Sequence, residues 1–212
     1  MRLHAQLSTH LAPVRRARHC GAGLIVCESP RLRLRRLEYG DAPFIVALLT
    51  DPDFLRNVGD RNVRNEDDAR RYLTEGPLAS YARHGFGLFL TELRDGGTAV
   101  GMCGLLRRDT HPDVELGFAL LPGHRRRGYT LEAAQACLQL ATQTLGLERV
   151  VAITALENAG SIGLLEKLGF RYERVVRFTS DGDSRLFVYE PADGPGTSAR
   201  NVASSATPRA GA

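Results

Sequence analysis

The chain has 212 residues, of which 43% are hydrophobic and 25% charged, which is the composition of an ordinary globular protein. This length favours one domain with a core large enough to need no disulfide or metal staple, and no apolar run is long enough to span a bilayer. The net charge is +4, but arginines are spread over the whole chain and Lys167 is its only lysine, so the charge is a compositional bias and we expect neither a nucleic-acid nor a membrane partner.

The two ends of the chain have the composition of disordered segments. Residues 1–30 carry no acidic residue before Glu28, and their apolar stretch at residues 21–27 is too short and too late for a signal peptide. Residues 191–212 are rich in proline, glycine, serine, threonine and alanine and lack periodicity. We therefore expect a disordered N-terminal extension over residues 1–30 and a disordered tail over residues 191–212.

The four cysteines are scattered, with no Cys-x-x-Cys pair and no paired histidines nearby: Cys20, Cys27, Cys103 and Cys137. This spacing is not that of a zinc site, so we expect no metal. Free thiols fit a reducing compartment, and we expect a cytoplasmic protein.

The first half of the remaining chain alternates between short strands and short helices. Residues 31–37 alternate polar and apolar side chains, which predicts a strand. Asp41 and Asn65 are candidate N-caps of two helices. Residues 86–93 and 98–106 predict two strands around a turn of aspartate and two glycines.

The second half contains a longer helix between strands. Residues 114–121 predict a strand, and residues 128–145 predict a helix whose two apolar stripes imply packing against a sheet. Three further elements follow: a strand at 150–154, a helix at 158–168, and a hairpin of residues 170–178 and 186–189 around Asp181-Gly182. The order of elements predicts an α/β or α+β fold, with one mostly antiparallel sheet of about six to seven strands flanked by helices.

The segment between the 114–121 strand and the long helix has the features of an anion site. The first turn of a helix leaves backbone N–H groups without partners at its positive end. Arg125, Arg126 and Arg127 add guanidinium groups that match phosphate oxygens, and Gly128 lets the backbone approach a ligand closely. The sequence has neither a P-loop nor a dinucleotide glycine motif. A solvated surface patch of arginines is the alternative interpretation.

Two motifs resemble the GNAT superfamily of acetyltransferases. Arg125-x-x-Gly128-x-Thr130, placed between a strand and a helix, resembles its acetyl-CoA pyrophosphate loop, although Thr130 stands where the family has glycine or alanine. The stretch from Asn158 to Phe170 resembles its Asn-x-x-Ser helix that ends in Glu-Lys-Leu-Gly-Phe. Three further segments are similar to the RimJ/RimL-like branch: residues 32–37, 59–61 and 101–108.

The resemblance implies an N-acetyltransferase domain over residues 31–190, with two strands splayed apart at the cofactor site. Its co-substrate would be acetyl-CoA, and its acceptor a primary amine, either a protein N-terminal α-amine or a small-molecule amine. A non-catalytic acyl-CoA-binding or interaction module is the alternative, and we expect a monomer or homodimer. The residues implied to contact acetyl-CoA are Phe118, Ala119, Leu120, Arg125, Arg126, Arg127, Gly128, Tyr129, Thr130, Asn158 and Ser161.

Two side chains are candidates for the chemistry. Ser161, one turn into its helix, is implied to donate its hydroxyl to the leaving CoA thiolate, and a local backbone hydrogen bond is its alternative role. Glu115, on the strand that leads to the cofactor loop, is the candidate general base, and a strand carboxylate facing solvent or an arginine is the alternative. The histidines of the predicted loops are expected to be solvated: His84, His111 and His124.

The acceptor pocket is walled in this family by the loop between its first two helices. Here that loop contains Gly59, Asp60 and Arg61. Asp60 is a candidate for holding a cationic amine and Arg61 for holding an acidic group. A salt bridge between the two is the alternative.

Overall fold

The computed structural model describes residues 23–109, 111–177 and 182–191. Within these ranges one sheet contains eight strands: β1 (Ile25–Glu28), β2 (Leu32–Arg36), β3 (Leu88–Leu93), β4 (Ala99–Arg107), β5 (Val114–Leu120), β6 (Val150–Ala155), β7 (Arg171–Val176) and β8 (Ser184–Tyr189). The strand order is β1-β2-β3-β4-β5-β6-β8-β7, and among these strands β5–β6 is the one parallel pair. The predicted fold class is confirmed, with eight strands rather than six to seven.

Helices cover both faces of this sheet. They are α1 (Ala42–Leu49), α2 (Pro52–Val58), α3 (Glu66–Leu73), α4 (Ala79–His84), α5 (Tyr129–Gln139) and α6 (Ala159–Lys167). α2 and α4 were not predicted, because α2 is short and begins at a proline, and because α4 follows α3 through a wide turn at Thr74–Leu78 that contains Pro77. No helix within the described ranges is long and apolar enough to cross a membrane.

Each face of the sheet has its own hydrophobic core, because successive strand residues point to opposite sides. On β3, Phe89 belongs to the core that α5 covers, whereas Leu90 belongs to the core that α1 and α3 cover. Cys103 and Met102 on β4 repeat this division. The two apolar stripes predicted for the long helix are explained by this packing, since α5 lies across β1, β2, β4 and β5.

The N-terminal boundary of the domain was predicted wrongly. Residues 25–28, assigned to a disordered extension, form the edge strand β1, which pairs with β2 and buries Cys27 completely. Four residues are too few to show an alternating pattern, and the acid-poor composition around them hid the strand. Residues 1–22 and 192–212, the rest of both predicted tails, lie outside the described residues, as does Asp181 of the predicted hairpin turn.

A buried ion-pair network joins β2, β3 and the start of α1. Arg35 donates to Asp41 at 2.8 and 2.9 Å and to Glu92 at 3.1 Å. Asp41 precedes α1 as predicted, but its carboxylate accepts from Arg35 instead of capping the helix. Asn65 does cap α3, because its side chain accepts from the Asp68 N–H at 3.0 Å.

Candidate active site

β5 and β6 are paired only where they begin. The register joins the first two residues of each strand, so that Glu115 lies opposite Val151, and no later pair follows among the described residues although β5 continues to Leu120. β6 remains paired with β8 over its whole length. The two strands therefore separate beyond Glu115, and residues 117–120 of β5 have no strand partner on that side.

A cavity of about 860 Å³ opens where the strands separate. One end, the cofactor end, is lined by β5, β6 and the start of α6, and it includes the predicted residues Phe118, Ala119, Asn158 and Ser161. The other end, the acceptor end, is lined by α2 and the loop after it, by α3 and α4, and by the end of β4. Glu115 is also in the wall, so the structure places both predicted catalytic side chains on one cavity.

Glu115 is a buried carboxylate that is paired within the protein. Its residue is 6% exposed, and Arg108 donates to it from Nε at 2.5 Å and from Nη2 at 3.3 Å. Nε2 of His111 lies 3.6 Å from its Oε2. Both partners belong to the segment that joins β4 to β5. Glu115 is thus the arginine-paired carboxylate of one prediction, and it lies in the cavity wall that the other prediction requires.

Charge and burial determine the protonation states of Glu115 and Tyr72 in the cavity wall. Burial raises the pKa of Glu115, but His111 and Arg108 together lower it by more, and the net pKa lies below its ordinary value. Burial raises the pKa of the Tyr72 phenol, which lines the same cavity close to Arg61 and Arg108. At neutral pH the wall therefore presents an ionised carboxylate and a neutral phenol.

The predicted cofactor loop joins β5 to α5. Arg126 and Gly128 have positive φ angles of 60° and 78°, in the left-handed conformation that helps to form concave sites of backbone N–H groups. Gly128 is the N-cap of α5 and no side chain caps this helix, so the N–H groups of its first turn have no helical partner. Arg126 and Arg127 are exposed beside them. The loop therefore offers backbone donors and two guanidinium groups to an anion.

Arg125 makes different contacts from those expected. Its guanidinium is paired with Asp51 and Asp53 at the start of α2. Asp51 also caps α2, so Arg125 joins the cofactor loop to that helix. A guanidinium contact with phosphate, expected of all three arginines, is therefore left to Arg126 and Arg127.

The loop is also held by residues that precede β2. Arg31 donates to the Arg127 carbonyl at 3.0 Å and to Glu132 at 2.7 Å, and its guanidinium lies 4.8 Å from the centre of the Tyr129 ring. The Ser29 hydroxyl donates to Glu132 at 2.6 Å. These contacts could not be predicted from the sequence, because Arg31 and Glu132 are 101 residues apart. The one available indication was an acidic residue in the first turn of a helix that follows three arginines.

Asn158 and Ser161 lie together at the start of α6. The Asn158 side-chain oxygen accepts from the Ser161 N–H at 3.0 Å and so caps the helix, as predicted. Within the described ranges the Ser161 hydroxyl makes no hydrogen bond, so the local backbone bond considered as its alternative role is absent there. Both side chains line the cofactor end of the cavity.

The loop after α2 lines the acceptor end through Gly59 and Arg61. Asp60 does not pair with Arg61; it pairs with Arg64, whose hydrogen bond lowers the pKa of Asp60 to about 2. Arg61 donates to the Val58 carbonyl at 3.0 Å and has no carboxylate within 4 Å in the described part of the chain. Its charge is therefore uncompensated by a direct ion pair.

The three histidines expected in solvated loops differ in exposure. His84 is exposed, although it ends α4, and His124 is half-buried in a short turn before the cofactor loop. For His111 the prediction was wrong, because its side chain is 7% exposed beside Glu115. Its burial depends on how the segment between β4 and β5 folds onto the sheet, and no sequence pattern indicated that.

A family model described as "Acetyltransferase (GNAT) domain" matches residues 31–171 of the chain. The uncharacterized N-acetyltransferase YjdG of Bacillus subtilis (strain 168) is 31% identical over 154 residues, which cover 69% of this chain and 90% of that protein. The crystal structure of an acetyltransferase from Agrobacterium tumefaciens superposes with a TM-score of 0.68 at 25% identity and covers 90% of this chain and 100% of its own. RimL, a ribosomal L7/L12 α-N-protein acetyltransferase, shares the fold, with a TM-score of 0.66 at 14% identity over 79% of this chain and 94% of its own.

Proposed function

The chain belongs to the GNAT acetyltransferase family, in its RimJ/RimL-like branch, and is an N-acetyltransferase; we propose that acetyl-CoA occupies the cofactor end of the cavity and donates its acetyl group to a primary amine at the acceptor end. The observation that carries this proposal is the position of Glu115. It lies where β5 and β6 separate, in the wall of the cavity that both ends share.

The residues at the cofactor end fit an acyl-CoA. The unpaired edge of β5 at residues 117–120 has backbone N–H and C=O groups that can bond the amides of a pantetheine arm. The N–H groups at the start of α5, with Arg126 and Arg127, would hold the pyrophosphate, and Asn158 would contact the arm. The bound co-substrate supplies an activated thioester carbonyl.

Glu115 is the proposed proton acceptor, and its low pKa restricts the amines that it can serve. Transferring a proton to the same carboxylate from a lysine ammonium, pKa about 10.4, costs about 3.5 kcal/mol more than from an α-ammonium, pKa about 7.8. At pH 7.4 about a quarter of an α-amine but only about 0.1% of a lysine amine is already neutral. An acceptor with an α-amine therefore suits this site better than a lysine side chain.

Ser161 is proposed to act on the leaving group. Its side chain lines the cofactor end and its hydroxyl has no competing hydrogen bond among the described residues. A hydroxyl in this position can donate to the thiolate that develops as the C–S bond breaks. Glu115 would thus accept the proton of the amine, and Ser161 would stabilise the charge on sulfur.

A thiol-release assay with acetyl-CoA and a panel of amines tests the proposal. We expect CoA release with short peptides that have a free α-amine, and at least about 100-fold lower kcat/KM with Nα-acetylated peptides whose only amine is a lysine side chain, because of the difference in neutral fraction. Peptides blocked at both amines serve as controls for hydrolysis. No release with any amine, from folded protein, would favour the non-catalytic alternative, and equal rates with both amines would contradict the α-amine preference.

A further inference from the structure

We propose that the acceptor carries an anionic group, a carboxylate or a phosphate, which the arginines Arg61, Arg83 and Arg107 bind at the acceptor end of the cavity. The inference rests on the proposed function, because it names the class of amine that this function acetylates. Its starting observation is that all three arginines line the cavity and that none has a carboxylate within 4 Å in the described part of the chain.

Most described arginines are neutralised by a carboxylate of the protein, including two others in the cavity wall. Arg56 pairs with Asp53, and Arg108 pairs with Glu115. Most of the described arginines without a carboxylate partner lie at two places. Arg126 and Arg127 are in the cofactor loop, and the three arginines named above are at the acceptor end; Arg36 and Arg185 lie elsewhere. At the cofactor loop the missing partner is the proposed pyrophosphate. By the same electrostatic reasoning, the acceptor end lacks an anion that its ligand would supply.

Two of the arginines come together through the sheet register. β3 and β4 pair Leu88 with Gly104, and the Leu105 N–H donates to the Gly87 carbonyl at 3.1 Å. Continuing this register places Arg107 level with the chain just after α4, which ends with Arg83 and His84. Arg83, His84 and Arg107 are all exposed and line the cavity, so they form one basic rim.

Arg61 extends this positive surface towards the reacting groups. The Tyr72 phenol is close enough to both Arg61 and Arg108 for their charges to affect its pKa, although burial has the larger effect and raises it. Because Arg108 is bonded to Glu115, Arg61 lies on the side of the acceptor end that is near the proposed base. An acceptor whose amine meets Glu115 can therefore place an anionic group on Arg61 or on the basic rim beyond it.

The cofactor's own phosphates are not the anion in question. Arg107 pairs with Val114 at the start of β5, whereas the cofactor loop follows the end of that strand. The seven residues of β5 rise about 20 Å. A pyrophosphate on the loop is thus at the opposite end of the strand from the basic rim.

Two carboxylates in the same cavity wall oppose the positive potential of these arginines, so removing their charge should have the opposite effect on the binding of an anionic acceptor. Glu75 and Asp109 are exposed, line the cavity and have no arginine within 4 Å in the described ranges. Removing either charge is expected to favour an anionic acceptor. Removing an arginine charge is expected to do the opposite.

The experiment compares matched peptides with a free N-terminal serine, one with aspartates at its second and third positions and one with asparagines there. A second arm compares phosphoethanolamine with ethanolamine, which distinguishes a phosphate on a small amine from a carboxylate on a peptide. In 50 mM salt we expect at least a tenfold higher kcat/KM for the charged member of one pair, chiefly through KM, and a smaller ratio in 0.5 M salt because of screening.

The variants Arg61→Gln, Arg83→Gln and Arg107→Gln should each raise KM for the anionic acceptor by about twofold to fivefold, the range of an exposed ion pair. Their kcat and acetyl-CoA KM should stay unchanged, Asp109→Asn should lower KM slightly, and the control Arg185→Gln, outside the cavity lining, should have no effect. Arg107→Glu should shift the preference towards a peptide with lysines at the same positions.

The outcomes separate the two proposals. If no amine of either arm is acetylated, the proposed function itself fails. If the amines are acetylated but charged and neutral members react equally well, the anionic acceptor is refuted while the acetyltransfer stands. A preference for anions that keeps its full wild-type size in each of the three arginine variants would also refute the assignment to these residues.

Discussion

The two ends of β5 differ in the sign of their charged groups and in whether those groups are paired within the protein. At its C-terminal end, the cofactor loop presents exposed guanidinium groups and backbone N–H groups that no carboxylate of the described chain neutralises. At its N-terminal end, Glu115 is buried and already bonded to Arg108. The guanidinium groups of the loop therefore need a ligand as their counter-charge, whereas the Glu115 carboxylate already has one within the protein.

This difference determines how each end responds to substitution. Many weak donors share an anion at the loop, and the backbone ones remain after any side-chain change, so losing one side chain should weaken binding only partly. At the other end a single carboxylate has one geometry and one strong partner, so losing it should affect the chemistry severely. Three substitutions test this contrast, in order of expected effect.

Glu115→Gln should have the largest effect. If Glu115 accepts the proton of the amine, kcat should fall by about 10² to 10⁴ with a peptide α-amine at neutral pH. Part of the loss should return at higher pH, because solution then supplies neutral amine. The matched control is Glu190→Gln, which removes an ion-paired carboxylate outside the cavity lining. Near-normal activity of the Glu115 variant with the same peptide at neutral pH would show that this carboxylate is structural.

The pH profile of the wild type sharpens the same test. The folded pKa of Glu115 is depressed, so the stability that its ionised form contributes is present above its unfolded pKa and is lost only as pH falls through the folded value. We therefore expect no break from Glu115 in kcat/KM above about pH 5. The acidic limb should follow the ammonium pKa of each acceptor, and a limb that does not move between acceptors would contradict this.

Ser161→Ala should have an intermediate effect. Removing one donor from a developing thiolate is expected to lower kcat by about tenfold to a hundredfold, somewhat less than the loss of an oxyanion donor, because sulfur accepts hydrogen bonds weakly. The acetyl-CoA KM should change by no more than a few-fold, since the contact strengthens only as the bond breaks. Ser184→Ala, at another serine of the cavity wall, is the control. An unchanged kcat would assign Ser161 to the helix start alone.

Arg31→Ala should have the smallest effect, and it should act at the loop end. Its contacts with the Arg127 carbonyl and Glu132 fix the entry to α5, so its loss should raise the acetyl-CoA dissociation constant by about threefold to tenfold. The acceptor KM and kcat should stay unchanged. Arg33→Ala, which removes ion pairs with Glu28 and Glu92 away from the loop, is the matched comparison. Equal binding by both variants would show that the loop needs no support from Arg31.

The sequence was sufficient where function depends on consecutive residues. The 125–130 loop, the N-cap role of Asn158 and the strand that carries Glu115 each follow from a local pattern, and the structure has all three in the predicted elements. Short-range motifs are predictable because strand, cap and helix start are set by neighbours in the chain.

Contacts between distant segments could not be predicted in the same way. Arg125 was expected to face phosphate because nothing in its neighbourhood shows that Asp51 and Asp53, more than 70 residues earlier, bond it in the fold. His111 was expected in solvent because it lies in a predicted loop. Its burial beside Glu115 depends on how that loop, which also carries Arg108, packs onto the sheet. Side-chain partners at this separation depend on tertiary packing and leave no periodic trace in the sequence.

The most direct measurement of the proposed division is a calorimetric titration of acetyl-CoA into Glu115→Gln, whose melting curve first shows that it is folded. If the two ends of β5 act separately, the dissociation constant should lie within about threefold of the wild-type value, at most about 0.7 kcal/mol, while turnover falls by at least a hundredfold. A dissociation constant more than about tenfold weaker, or about 1.4 kcal/mol, in folded protein would show that Glu115 supports the cofactor end and would contradict the account.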